Sequence, residues 1–251
     1  MTTLLLALAV LPAVVLSIFI YRQDKMEKEP IGLLIMTFFA GVLSILPAVL
    51  LETQLSQYTP EEPLMGGLYR GYCVAGFSEE LCKLILLMLV IWRNKNFNEY
   101  FDGIVYATYI ALGFACFENI SYVFRAETFQ SAVMTGSMRA LLSVPGHFLF
   151  GVVMGYYVAL AKFDPKHRYV HLFKALLYPI LLHGTFDALL MIPEGMSEGQ
   201  EMVSGVLFIV FILFDIKMWK TGKRRIRRLQ ELSQQQGFDH DNPFAGFKWE
   251  V

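Results

Sequence analysis

Eight ionisable side chains interrupt the apolar middle of this chain: Glu79, Glu80, Lys83, Glu118, Arg139, His147, His183 and Asp187. Inside a bilayer each charged type costs roughly 2–3 kcal/mol on insertion scales, so such a set persists only where its members face a shared interior. Glu79 precedes Lys83 by four residues and Glu80 by three, so on a helix either carboxylate can pair with the ammonium. His183 and Asp187 are four apart, and a carboxylate one turn from an imidazole orients the ring and raises its basicity. Acids and imidazoles gathered at one depth suit two chemistries. They activate water through a carboxylate base or a held metal, or they pass protons. Bland readings stand beside these: an ion pair of Lys83 that only fixes helix packing, a hydrogen-bonded packing role for His147, and a Glu118 that snorkels toward the helix end.

Other sites of intramembrane chemistry match poorly. There is no HExxH run for zinc on one helix and no GxSxG run. A two-aspartate site lacks its partner, because Asp187 is deep while Asp102 and Asp215 fall toward span ends. The three cysteines, Cys73, Cys82 and Cys116, lie inside apolar runs without CxxC spacing, which argues for packing and against a disulfide framework.

The elements that must position these residues are membrane spans. Of 251 residues, 55% are hydrophobic and 17% charged, and the apolar runs reach the ~20 residues that cross a bilayer. Seven spans are expected, at 3–21, 31–51, 64–92, 102–124, 131–161, 172–191 and 202–220. The fold class is therefore all-α, a polytopic transmembrane helical bundle. A single membrane domain covers 1–228, its motif-bearing core is 64–191, and 229–251 forms a polar cytoplasmic tail. The loops after spans one, three and five hold Arg22, Lys25, Lys28, Arg93, Lys95, Lys162, Lys166 and Arg168, and Lys223, Arg224, Arg225, Arg227 and Arg228 add a basic tail. The opposite loops hold Glu61, Glu62, Glu127, Glu194, Glu198 and Glu201 with Arg125 alone as a basic residue. The positive-inside rule then puts the N-terminus outside and the C-terminus in the cytoplasm. In span three, Gly67, Gly71, Ala75, Glu79 and Lys83 recur every four residues, so one helical face is expected to carry small residues and then the charges. Pro145 frees a carbonyl and predicts a kink just before His147.

The ordered motifs resemble a family. Residues 79–83 read EExxK, 114–118 read FxxxE within GFACFENISY, a His follows in span five, and 183–187 read HxxxD. The set is similar to that of the PrsW family of bacterial membrane proteases, and more distantly to the type II CAAX prenyl proteases, whose second motif carries His where Glu118 stands. The resemblance covers residues 79–187. It implies an intramembrane endopeptidase of the bacterial plasma membrane, cutting a single-span membrane protein such as an anti-sigma factor on its extracytoplasmic side. It implies Glu79 or Glu80 as base, and His183 with Asp187 at the oxyanion or in a metal set. Zinc is the expected cofactor if a metal is used, and Glu118, His147 and His183 would suffice as its ligands. The lipid bilayer is the other partner, and no nucleic acid is expected. A non-catalytic scaffold or a proton-coupled carrier is the competing reading. Two adjacent glutamates exceed what a scaffold needs, and no internal repeat of the kind common in carriers is visible.

Overall fold

The computed structural model describes residues 1–196 and 199–241, and these form a helical bundle with no strand among them. Glu198 and the stretch 242–251 lie outside the described residues. The first two helices are α1 (Thr2–Gln23) and α2 (Ile31–Ser56). A composite third span joins α3 (Pro63–Tyr69), a π-helical segment Arg70–Phe77 and α4 (Ser78–Ile91). Next come α5 (Tyr100–Arg125), then α6 (Phe129–Met138), a second π-helical segment Arg139–Ser143 and α7 (Val144–Phe163), and finally α8 (Arg168–Glu194) and α9 (Glu201–Asp241). Six of these stretches, Phe129–Phe163 with its π segment among them, are long and apolar enough to cross a membrane, and the charged third stretch, 63–91, packs among them. At 26 residues, α5 measures about 39 Å, more than the hydrocarbon thickness.

Helix ends are set by local chemistry. Pro63 opens α3 at a position that needs no N–H, and the Glu62 carboxylate accepts from the Leu64 and Met65 amides at 3.1 and 2.6 Å. Glu99 and Asp102 form a capping box at α5, Thr128 and Ser131 another at α6. The hub is α5, which packs on α1, α2 and α7 and buries nearly all of its first seventeen residues. Helix α9 runs on beyond residue 220, so residues 229–241 of the expected tail continue the helix. It is fastened there: the Phe101 amide donates to Ser233 Oγ at 2.9 Å and Gln230 Nε2 to the Gln23 carbonyl at 2.7 Å.

The four-residue ladder of span three needs correcting. A π turn takes in more residues than an α turn, so the small face shifts by one position inside Arg70–Phe77. Gly67, Gly71 and Gly76, followed by Glu80, face α8, while Ala75 and Glu79 turn toward a cavity. A Cβ on Gly71 would stand 2.6 Å from the Gly184 carbonyl oxygen and 2.8 Å from the Ala188 nitrogen, so only glycine permits this approach. Gly71→Val should therefore lower the thermal midpoint of the detergent-purified protein, with overpacking costing about 1–3 kcal/mol. An unchanged midpoint would show that the two helices are not in this contact. The second π segment ends one residue before α7, so the ladder is already loosened where Pro145, early in α7, brings no N–H.

Candidate active site

Four helices bring the ionisable set together at mid-bundle. Lys83, fully buried on α4, sets its ammonium 2.9 Å from Glu79 Oε2, 2.9 Å from Glu80 Oε1 and 3.2 Å from His147 Nδ1 on α7. His183 on α8 places Nδ1 3.0 Å from Glu80 Oε1 and 3.9 Å from Glu79 Oε2. The two imidazole rings stand 5.1 Å apart, nearly perpendicular, and Phe150 stacks on His183 at 4.7 Å. One donor atom from each of Glu79, Glu80, His147 and His183 lies within 4.8 Å of all the others.

Both imidazoles are held in the same way. Each turns Nε2 toward a carboxylate, His147 to Glu118 at 2.9 Å and His183 to Asp187 at 3.3 Å, while Nδ1 faces the Lys83–glutamate cluster, meeting the Lys83 ammonium at 3.2 Å from His147 and Glu80 Oε1 at 3.0 Å from His183. Glu118 is fixed in turn. Arg139 Nη2 is 2.7 Å from its Oε2, Arg139 Nε donates to Asn119 Oδ1 at 3.0 Å, and Asn119 Nδ2 donates to the Ala9 carbonyl of α1 at 2.9 Å. Arg139 also lies over the Tyr122 ring at 4.2 Å. A relay of polar contacts thus runs from α1 to His147.

Of the residues expected at the site, Glu79, Glu80, His147 and His183 converge on one point. Asp187 sits behind His183. Glu118 sits behind His147, on the side away from the glutamates, and is not among the four. Two residues joined to the site had no role in the sequence reading. Arg139 was counted in the buried set without a partner, and the one it takes, Glu118, is 21 residues earlier in the chain. Glu52 follows the last apolar residue of its span, where a carboxylate reads as an ordinary interface charge.

A cavity of about 630 Å³ leads to this cluster. Glu52, Glu79, Glu118, His147, His183 and Asp187 are among its lining residues, and Glu80 and Lys83 are not. Ser56, Arg125 and Glu194, each the last residue of its helix, line it too, so it reaches the end of the bundle that carries the acidic loops. Water therefore has a route to Glu79 and the imidazoles. The donor set suits a divalent ion of the zinc type, which takes imidazole and carboxylate ligands. Glu80 Oε2 adds a fully buried acceptor with no hydrogen-bond partner among the described residues, which a cation would satisfy. A second His/Asp group, Asp164, His167 and His171, lies at the turn between α7 and α8. There the carboxylate caps the turn, and its hydrogen bond from His167 holds Asp164 below the usual carboxylate range.

Comparison with known proteins gives one consistent answer. A family described as PrsW family intramembrane metalloprotease matches residues 29–215. The chain is 34% identical to Protease PrsW of Clostridioides difficile (strain 630) over 232 residues, 92% of this chain and 93% of that one. It is 30% identical to Protease PrsW of Halalkalibacterium halodurans over 230 residues, 92% of this chain and 99% of the relative. To Protease PrsW of Bacillus subtilis (strain 168) it is 30% identical over 236 residues, 92% and 98% of the two chains. No solved structure matches.

Proposed function

The chain belongs to the PrsW family of intramembrane proteases, and from that premise we propose that it hydrolyses a peptide bond of a single-span membrane protein, such as an anti-sigma factor, on the extracytoplasmic side. Glu79 is the general base. It alone of the two glutamates lines the cavity, so it alone meets water. Glu80, His147 through Nδ1 and His183 through Nδ1 would hold a divalent ion, zinc by the chemistry of the set. Such an ion supplies a Lewis acid that eases deprotonation of water and polarises the scissile carbonyl. Glu118 and Asp187 orient the imidazoles from their far nitrogens, as carboxylates do behind metal-bound histidines. Arg139 and Asn119 keep Glu118 in place. Bond cleavage needs a proton delivered to the leaving amine, and the Glu79 carboxyl, having taken one from water, is the group in position to give it.

The observation that carries this reading is the matched pair of imidazoles. A structural ion pair with Lys83 needs neither ring, and it gives no reason for each to be braced by a carboxylate of its own. The orientation that puts the cavity mouth outside rests on the loop charges. Reconstituted protein should cut a single-span reporter at a site, mapped by mass spectrometry, near the outer membrane face. Single cysteines at 55–62, in a background without Cys73, Cys82 and Cys116, should label from outside, and those at 94–98 only from the cytoplasm. A cut on the cytoplasmic side, or outside labelling at 94–98, would reverse the orientation.

A further inference from the structure

We propose that Lys83 and the metal are alternative occupants of one set of donors, so that the ion loads only when the Lys83 ammonium withdraws toward Glu52. The inference rests on the metal reading above and goes beyond it by giving the site a built-in competitor.

The conflict is sharpest at His147. Its Nε2 faces the Glu118 carboxylate at 2.9 Å and so carries the proton, which leaves Nδ1 with the ring's one available lone pair. That lone pair already faces Lys83 Nζ at 3.2 Å. It cannot accept from an ammonium and ligate an ion at once. Glu79 Oε2 and Glu80 Oε1 face the same ammonium at 2.9 Å. An ion at the ~2.0–2.2 Å distances zinc takes from such atoms would share this enclosed space with a second positive charge, where screening by water is weak. The ammonium is also packed 3.9 Å over the centre of the Phe114 ring, so it has no slack in its present position.

An exit is present. Glu52 lines the cavity and makes no ion pair or hydrogen bond of its own among the described residues. Its helix packs on α4, and Glu79, which holds the Lys83 ammonium at 2.9 Å, lines the same cavity. The four-carbon stem of lysine allows its head group to move without moving the helix. With the ion absent, the ammonium neutralises two buried carboxylates that would otherwise repel each other. With the ion bound, it pairs with Glu52. The arrangement keeps the empty site folded and lowers its affinity for metal.

The test uses the metal-free full chain in lipid nanodiscs and Zn²⁺ alone, with affinity measured by competition against a chromophoric chelator. Lys83→Met should tighten zinc binding on the order of tenfold or more, and Lys83→Arg should weaken it by a similar factor. Glu52→Gln should weaken binding in the wild type and have no effect in the Lys83→Met background, because no ammonium is left to receive. A Lys83→Met protein that binds zinc no better than a wild type carrying one ion on its two histidines would overturn the proposal and leave the metal reading intact. Failure of both proteins to bind zinc would remove the metal reading and this proposal with it. If Lys83→Met does not accumulate, a structure of the zinc-loaded wild type decides the matter: Nζ should have left hydrogen-bond range of His147 Nδ1, and an Nζ still at its present place would overturn the proposal.

Discussion

Glu79→Gln should lower cleavage of a verified single-span substrate by at least about two orders of magnitude, the scale of general-base catalysis, while the protein inserts and accumulates as the wild type does. The amide keeps the shape of the carboxylate and cannot take a proton. Accumulation should be spared because Lys83 keeps its second partner, Glu80, at 2.9 Å, and no buried charge is left alone. Zinc content should also be unchanged, since the proposed ligands are Glu80 and the two imidazoles. Glu80→Gln should differ in just this respect, losing the ion together with the activity. A Glu79→Gln enzyme that cleaves at more than about a tenth of the wild-type rate has another base. A Glu79→Gln protein that vanishes from the membrane instead points to the packing role of the ion pair.

The contrast between the two glutamates was beyond the reach of the sequence. Residues 79 and 80 are neighbours, and an α-helical wheel gives no reason to prefer one as the group that meets water. The distinction comes from the π-helical segment just before them, which turns Glu79 to the cavity and Glu80 to α8. That segment leaves no mark in the pattern, because Gly67, Gly71, Ala75 and Glu79 keep a four-residue spacing that reads as plain α-helix. By contrast the helical spans and the pairing of His183 with Asp187 were legible. Each depends on run length or on the i to i+4 geometry of a single helix, which sequence spacing reports directly. The direction of Glu118 was not legible. Spacing puts it near the depth of His147, but whether it reaches past the ring or stands behind it depends on how α5 and α7 pack. In the structure Arg139 draws it to the far side of the imidazole.

On the proposed reading, that placement of Glu118 separates the proposed ligands from the groups that would orient them, and the second large effect follows. His147→Ala and His183→Ala should each abolish both activity and stoichiometric zinc, because a carboxylate with one imidazole is too small a set to retain the ion. Glu118→Gln and Asp187→Asn should keep a measurable fraction of both. Loss of a carboxylate behind a ligating histidine costs roughly 10–100-fold in metal affinity or activity, since the ring loses its fixed tautomer and orientation and not its lone pair. Zinc per chain by elemental analysis and cleavage rate measured at saturating zinc distinguish the two groups. If Glu118→Gln lost zinc as completely as His147→Ala, Glu118 would be a ligand, and the ring between it and the glutamates would have to turn to admit it. If both histidine variants instead kept their zinc, the ion would be held elsewhere, and Glu79 would act on water without it.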